Sequence, residues 1–169
     1  YGGLYREVWL EATAESRLTD LFVYTPTLQE SVVQWTAELT PEAAADRIRL
    51  ETTEGTLLAE QTAPAAETGK MQLSVPEAQP WDTEHPVLHH AVAELLNAAG
   101  QPIDRKQVTF GFRTAEFRAD GFYLNGKKTF LRGLNRHQSY PYIGYAAPES
   151  LQREDARILQ EELHCTAVR

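Results

Sequence analysis

Two polar clusters stand where apolar runs end, and they have the strongest claim to chemistry. Asn135-Arg136-His137 closes a run that begins at Lys127, and Arg169 closes the short run Cys165–Val168. If these runs are strands of a β/α unit, both clusters lie at strand C-termini, where barrels of that kind build their active sites. Alternation along a strand puts Asn135 and His137 on one face and Arg136 on the other. With the odd-numbered face inward, Asn135 and His137 reach the barrel mouth. Other residues suited to chemistry are badly placed for it. Glu154 and Asp155 fall inside a helical pattern and Glu161-Glu162 near its end, so no carboxylate sits at a strand tip. Neighbouring strand residues face opposite ways, so His89-His90 cannot share a metal. His164-Cys165 lacks the spacing of zinc ligands, and Cys165 reads as a buried structural thiol. No phosphate loop of the form GxxxxGK[ST] is present. Trp35 lies on an apolar strand face and reads as core, whereas Trp81, between Pro80 and Asp82, is the tryptophan to test as an exposed stacking surface.

The elements that must position these residues follow from periodicity. Asn125-Gly126 joins Gly121–Leu124 to Lys127–Gly133, and both central residues of a type I′ turn need φ above zero, so a hairpin is expected there. Before it, Leu21–Tyr24, Val33–Leu39, Ile48–Glu51, Leu57–Gln61, Met71–Val75, Leu88–Leu96 and Val108–Phe112 read as strands, most with apolar and polar residues alternating. Leu88–Leu96 is apolar on both faces and is expected to be central. Seven strands at this spacing predict an immunoglobulin-like sandwich. Leu4, Tyr5, Val8, Trp9 and Leu10 form one more strand-like run with no partner nearby. After the hairpin, Pro148 can occupy the first helical position, and Leu151, Ile158, Leu159 and Leu163 fall on one helix face. Cys165–Arg169 then reads as a strand. The order strand, helix, strand predicts a parallel pair with a right-handed crossover. A (β/α)₈ barrel takes about 250 residues, and only 37 follow Arg132 (169 − 132), so the expectation is the first βαβ unit of a truncated barrel.

The net charge of −8, with no basic cluster, argues against a nucleic-acid partner. No apolar run approaches the length of a membrane span, and the single cysteine excludes an intrachain disulfide. A start at Tyr1-Gly2-Gly3, without methionine, is expected of a cut inside a longer protein.

Several stretches carry a family resemblance. They are Gly111-Phe112-Arg113, the run Asp120–His137 (DGFYLNGKKTFLRGLNRH), Pro141-x-x-Gly144, Asp155 and Ala167-Val168-Arg169; Gly3–Val8, Pro80-Trp81 and Pro86-x-Leu88 extend the match backwards. Together they resemble the glycoside hydrolases of the β-galactosidase and β-glucuronidase type, family 2. The Asn-Arg-His ending and Pro-x-x-Gly favour the β-galactosidase branch. By this resemblance, residues 1–14 are the tail of a sugar-binding jelly-roll domain. Residues 15–113 are the immunoglobulin-like β-sandwich, and residues 114–169 are the hairpin with the N-terminal fragment of the (β/α)₈ catalytic domain.

The resemblance implies hydrolysis of terminal β-galactosides with retention by the parent enzyme. It also implies that His137 and Arg169, with Asn135, belong to the substrate-binding pocket, while Arg136 is structural. A retaining glycosidase needs two carboxyl groups about 5–5.5 Å apart. In the family both are glutamates on later barrel strands, so this chain by itself is expected to be inactive. The implied partners are the carbohydrate substrate and the remaining domains of the parent. Leu131, Leu151, Ile158 and Val168, left without the barrel, are expected to be exposed or repacked, and self-association through this C-terminal segment follows. No cofactor is expected in this chain; the resemblance leaves a Mg2+ or Na+ requirement of the parent open. The chain departs from the family at Gln138, where an acid is usual, at Thr166, where Asn is usual, and by one extra residue just before Thr166. The alternative is a stand-alone β-sandwich that binds glycans or proteins.

Overall fold

The structure, a computed structural model, describes residues 3–169. Its first seven strands form two facing antiparallel sheets. One holds β1 (Arg17–Tyr24), β2 (Glu30–Glu38) and β5 (Thr68–Ser74) in the order β1-β2-β5. The other holds β3 (Ala45–Thr52), β4 (Leu57–Pro64), β6 (His89–Leu96) and β7 (Pro102–Phe110) in the order β4-β3-β6-β7. The alternation legible in the sequence becomes the core. Val33, Trp35 and Ala37 of β2 and Met71 and Leu73 of β5 pack against Ile48 and Leu50 of β3 and Ala91, Ala93 and Leu95 of β6. The fold is mostly β and sandwich-like, as expected.

β6 is central, between β3 and β7, and its second face is covered by charge. Glu94 accepts from Arg47 Nε at 2.9 Å and Arg49 Nη2 at 3.3 Å, and Arg47 lies directly opposite it in the register. Paired this way the buried carboxylate is compensated. Asp104 Oδ2 accepts from the Leu18 amide at 2.7 Å, linking β7 of one sheet to β1 of the other.

Several boundaries differ from the sequence expectation. β7 begins at Pro102, because its charged residues Asp104–Lys106 mask the alternation of an edge strand, and Phe112 lies beyond its end. A further strand, β8 (Ala115–Arg118), exposed along its length, pairs with β9 (Gly121–Leu124). Its alternation, Ala115 and Phe117 with Glu116 and Arg118, spans only four residues and buries neither face, too short a signal to mark a strand. The Asn125-Gly126 turn has φ of 52° and 75°, as a type I′ turn requires. However, the strand expected over Lys127–Gly133 is broken into β10 (Lys127–Lys128), paired to β9, and β11 (Gly133–Leu134), which pairs elsewhere. The strand-like run Leu4–Leu10 forms no strand, since no neighbouring strand offers its backbone a ladder.

Asn125 does more than turn the hairpin. Its Oδ1 accepts from Thr114 N at 3.0 Å and its Nδ2 donates to the Trp81 carbonyl at 3.0 Å. Trp81 N in turn donates to Phe112 O at 2.8 Å. Trp81 is half-buried between Gly111, where an added Cβ would come within 2.5 Å of its own Cβ, and the Arg113 guanidinium, 4.6 Å from its ring centroid. It is a hinge-pin between sandwich and hairpin rather than an open stacking platform.

Candidate substrate-contact strand ends

β11 and β12 (Ala167–Val168) run parallel, with Gly133 opposite Ala167 and Leu134 opposite Val168. α1 (Glu149–Arg157) lies between them in the chain. Pro148 is the N-cap, one residue earlier than the sequence reading placed it, and no side chain caps the helix. The pairing continues past the strands, because Arg169 N donates to Leu134 O at 3.0 Å and Arg136 N to Arg169 O at 2.8 Å. Asn135 and Arg169 are therefore neighbours at adjacent strand ends, with His137 two residues beyond. All three side chains are exposed.

Arg136 faces the other way and is locked. Its Nε donates to Asp155 Oδ2 at 2.7 Å, and its Nη2 donates to the Gln152 side chain and to the Tyr140 hydroxyl at 3.1 Å. The Tyr140 hydroxyl also donates to Asp155. That hydrogen bond, and the Arg136 guanidinium beside it, hold the Asp155 carboxyl below its usual range, so it stays ionised. Arg136 and Asp155 stand out in the sequence as motif residues. Tyr140 and Gln152 do not, because only the turn of the loop and the helix phase bring them to the guanidinium.

α1 runs into a single π-helical turn, Ile158–Glu162, in which Leu163 N bonds to Ile158 O at 3.0 Å. A π-turn is an α-turn widened by one residue, and beyond it β12 still pairs with β11. Arg157 braces the turn through Glu161 and Glu162, at 3.0 and 2.8 Å. Thr166 has a clear partner as well. Its Oγ1 accepts from Arg132 N at 3.0 Å and donates to Phe130 O at 3.4 Å, clasping the foot of the parallel pair.

The segment leaves much apolar surface uncovered. Phe130, Leu131, Leu134, Leu163 and Val168 are exposed, while Leu151 and Ile158 are half-buried. A cleft of about 660 Å³ lies between the loop Trp81–Pro86 and this segment, lined by Arg132, Gln152, Leu159 and Val168 among others. It does not include Asn135, His137 or Arg169. Among the described residues no three His, Cys, Asp or Glu side chains gather as a cation site.

Residues 16–113 match the family model described as glycosyl hydrolases family 2. The whole chain is 35% identical to the β-galactosidase of Thermoanaerobacter pseudethanolicus, over 24% of that protein's length. Over 90 residues, 53% of the chain, identity to the β-galactosidase of Thermoanaerobacterium thermosulfurigenes rises to 53%, across 12% of that protein. Among solved structures, β-glucuronidase 3 of Bacteroides uniformis superposes on the entire chain with a TM-score of 0.84 at 27% identity, over 22% of its own length. The chain thus spans about a quarter of the first of these relatives and less of the second.

Proposed function

Because this chain belongs to glycosyl hydrolases family 2, we propose that it is the sandwich and the opening βαβ unit of a retaining β-glycosidase whose remaining barrel strands lie outside these 169 residues. The observation that carries the proposal is the parallel β11–β12 pair with Asn135, His137 and Arg169 at its adjacent C-terminal ends. In a β/α barrel those ends face the substrate. Imidazole, amide and guanidinium groups there suit hydrogen bonding to sugar hydroxyls. None of them can serve as the carboxylate pair that retaining hydrolysis needs. The chain therefore supplies part of the substrate wall and no acid–base group, and by itself it turns over no glycoside.

The substrate proposed is a terminal β-galactoside, in line with the relatives named β-galactosidase and with the Asn-Arg-His ending; β-glucuronides are the competing class. Co-expression of this chain with a polypeptide carrying the rest of the barrel tests both points. Hydrolysis of a chromogenic β-galactoside is expected from the pair and from neither part alone. Turnover by the 169-residue chain alone, or a preference of the pair for β-glucuronide, would overturn the corresponding half of the reading. The reading as an independent binding module predicts heat on titration with galactosides, where the proposal expects none.

A further inference from the structure

Arg6 leaves a segment that has neither strand nor helix and reaches the loop between β11 and α1. Its Nη2 donates to Gln138 Oε1 at 2.8 Å, and its Nη1 donates to the Ala147 carbonyl at 3.3 Å. Gln138 directly follows His137, and Ala147, which is buried, directly precedes the Pro148 cap of α1. One guanidinium therefore spans the two ends of loop 138–147. The preceding residue adds a second contact, with the Tyr5 ring 6.4 Å from that of Tyr145 and 5.8 Å from the Arg6 guanidinium carbon. Inside the loop, Tyr140 and Gly144 exchange backbone bonds of 3.1 and 2.9 Å, and Tyr142 is held at φ 70°. The loop is thus folded on itself and closed from outside by Arg6.

His137 is caught between two clamps. Arg136, before it, is bound to α1 through Asp155 and Gln152; Gln138, after it, is bound to Arg6. Among the described residues the imidazole has no anchor of its own, so its direction depends on how its two neighbours are held. We propose that Arg6 is a positioning residue, through which the N-terminal segment sets where His137 is presented at the strand end. The functional consequence rests on His137 being a substrate contact; the clamp itself does not. A lysine at position 6 has a compact ammonium that cannot fork to both loop ends. A glutamate at position 138 would turn the neutral hydrogen bond into a charge-assisted one.

NMR on the isotope-labelled full chain tests this through the His137 ring signals and amide exchange over residues 138–147. In Arg6→Ala the loop amides are expected to exchange about fivefold faster, and the His137 ring signals to shift, with sandwich amides and the His85 ring unchanged. Arg6→Lys should fall between, and Gln138→Glu should slow exchange below the starting protein. Unchanged loop exchange in Arg6→Ala overturns the clamp. Faster exchange with unmoved His137 signals overturns the positioning role, since Arg6 would then only tether the loop. No sugar enters the experiment, so its failure leaves the glycosidase reading standing, and failure of that reading leaves this result standing.

Discussion

The sandwich and the segment after it are built from similar proportions of apolar residues but hold themselves together differently. In the sandwich, both sheets turn alternate residues inward, and Val33, Ile48, Leu50, Leu95 and Phe112 are fully enclosed. In residues 114–169 only Leu124 and Ala147 are buried, and α1 buries nothing. What orders this segment is polar: the Arg136–Asp155–Tyr140 cluster, the Thr166 clasp, the Asn125 bridge and the Arg6 clamp. A unit that closes its own apolar core needs nothing further. One held by hydrogen bonds around an uncovered apolar sheet is arranged to receive more structure.

The largest expected contrast comes from truncating one apolar side chain in each region. Phe112, with 0% exposure and edge-on contacts to His89 and Phe110 at 5.1 Å, should cost about 3–5 kcal/mol when changed to Ala. Leu134→Ala and Val168→Ala, at 49% and 59% exposure, should each stay within about 0.5 kcal/mol. Urea unfolding of the three variants checks this, and equal losses would erase the distinction between the regions.

Added volume should sharpen the same contrast. A Cβ on Gly69 would fall 1.9 Å from the Trp35 ring, and one on Gly133 would fall 2.8 Å from the Ala167 carbonyl oxygen. Gly69→Ala should lower global stability by about 1–3 kcal/mol. Gly133→Ala should part β11 from β12, seen as faster amide exchange at Ala167 and Arg169, and leave the sandwich melting temperature unchanged.

A smaller effect follows from acid. His89 is 5% exposed, and burial holds its imidazole below the usual histidine value. The folded sandwich therefore binds this proton less readily than the unfolded chain does. Stability should be greatest above about pH 6.5, the ordinary histidine value, and decline as pH falls through it until the folded-state value is passed. One proton allows a slope of at most about 1.4 kcal/mol per pH unit. Buried Asp46, whose pKa is raised by desolvation, works in the opposite sense as pH falls. The difference between the starting protein and His89→Gln therefore isolates the histidine, and parallel melting curves from pH 5 to 7.5 would refute its contribution.

The weakest effect expected is association. Phe130 at 82% exposure and the unpaired edges of β11 and β12 offer a surface on which a second chain can pair. Light scattering should show mass rising with concentration, with Phe130→Ser reducing it. A monomer at every concentration would mean that the segment tolerates its exposure.

The sandwich strands, the Asn125-Gly126 hairpin and the structural role of Arg136 were legible because each depends on neighbours in sequence: a period of two, a φ requirement, an alternation of faces. β8, the break between β10 and β11, and the partners Tyr140 and Gln152 were not legible, since strands of two to four residues are too short for a period to stand out and a guanidinium's partners depend on how distant elements dock. The Leu4–Leu10 run shows the same limit in reverse, a strand pattern with no ladder to join.

By itself, then, the sequence determined the two-layer apolar pattern, the turn and the family to which the chain belongs, all of which are encoded locally or in short motifs. Only the tertiary structure decided that α1 ends in a π-turn, that Thr166 clasps β11 to β12, and that Arg6 closes the loop behind His137. Those outcomes depend on which backbone groups meet across long separations in the chain. Such meetings follow from the packing of the whole and leave no periodic trace in the order of residues.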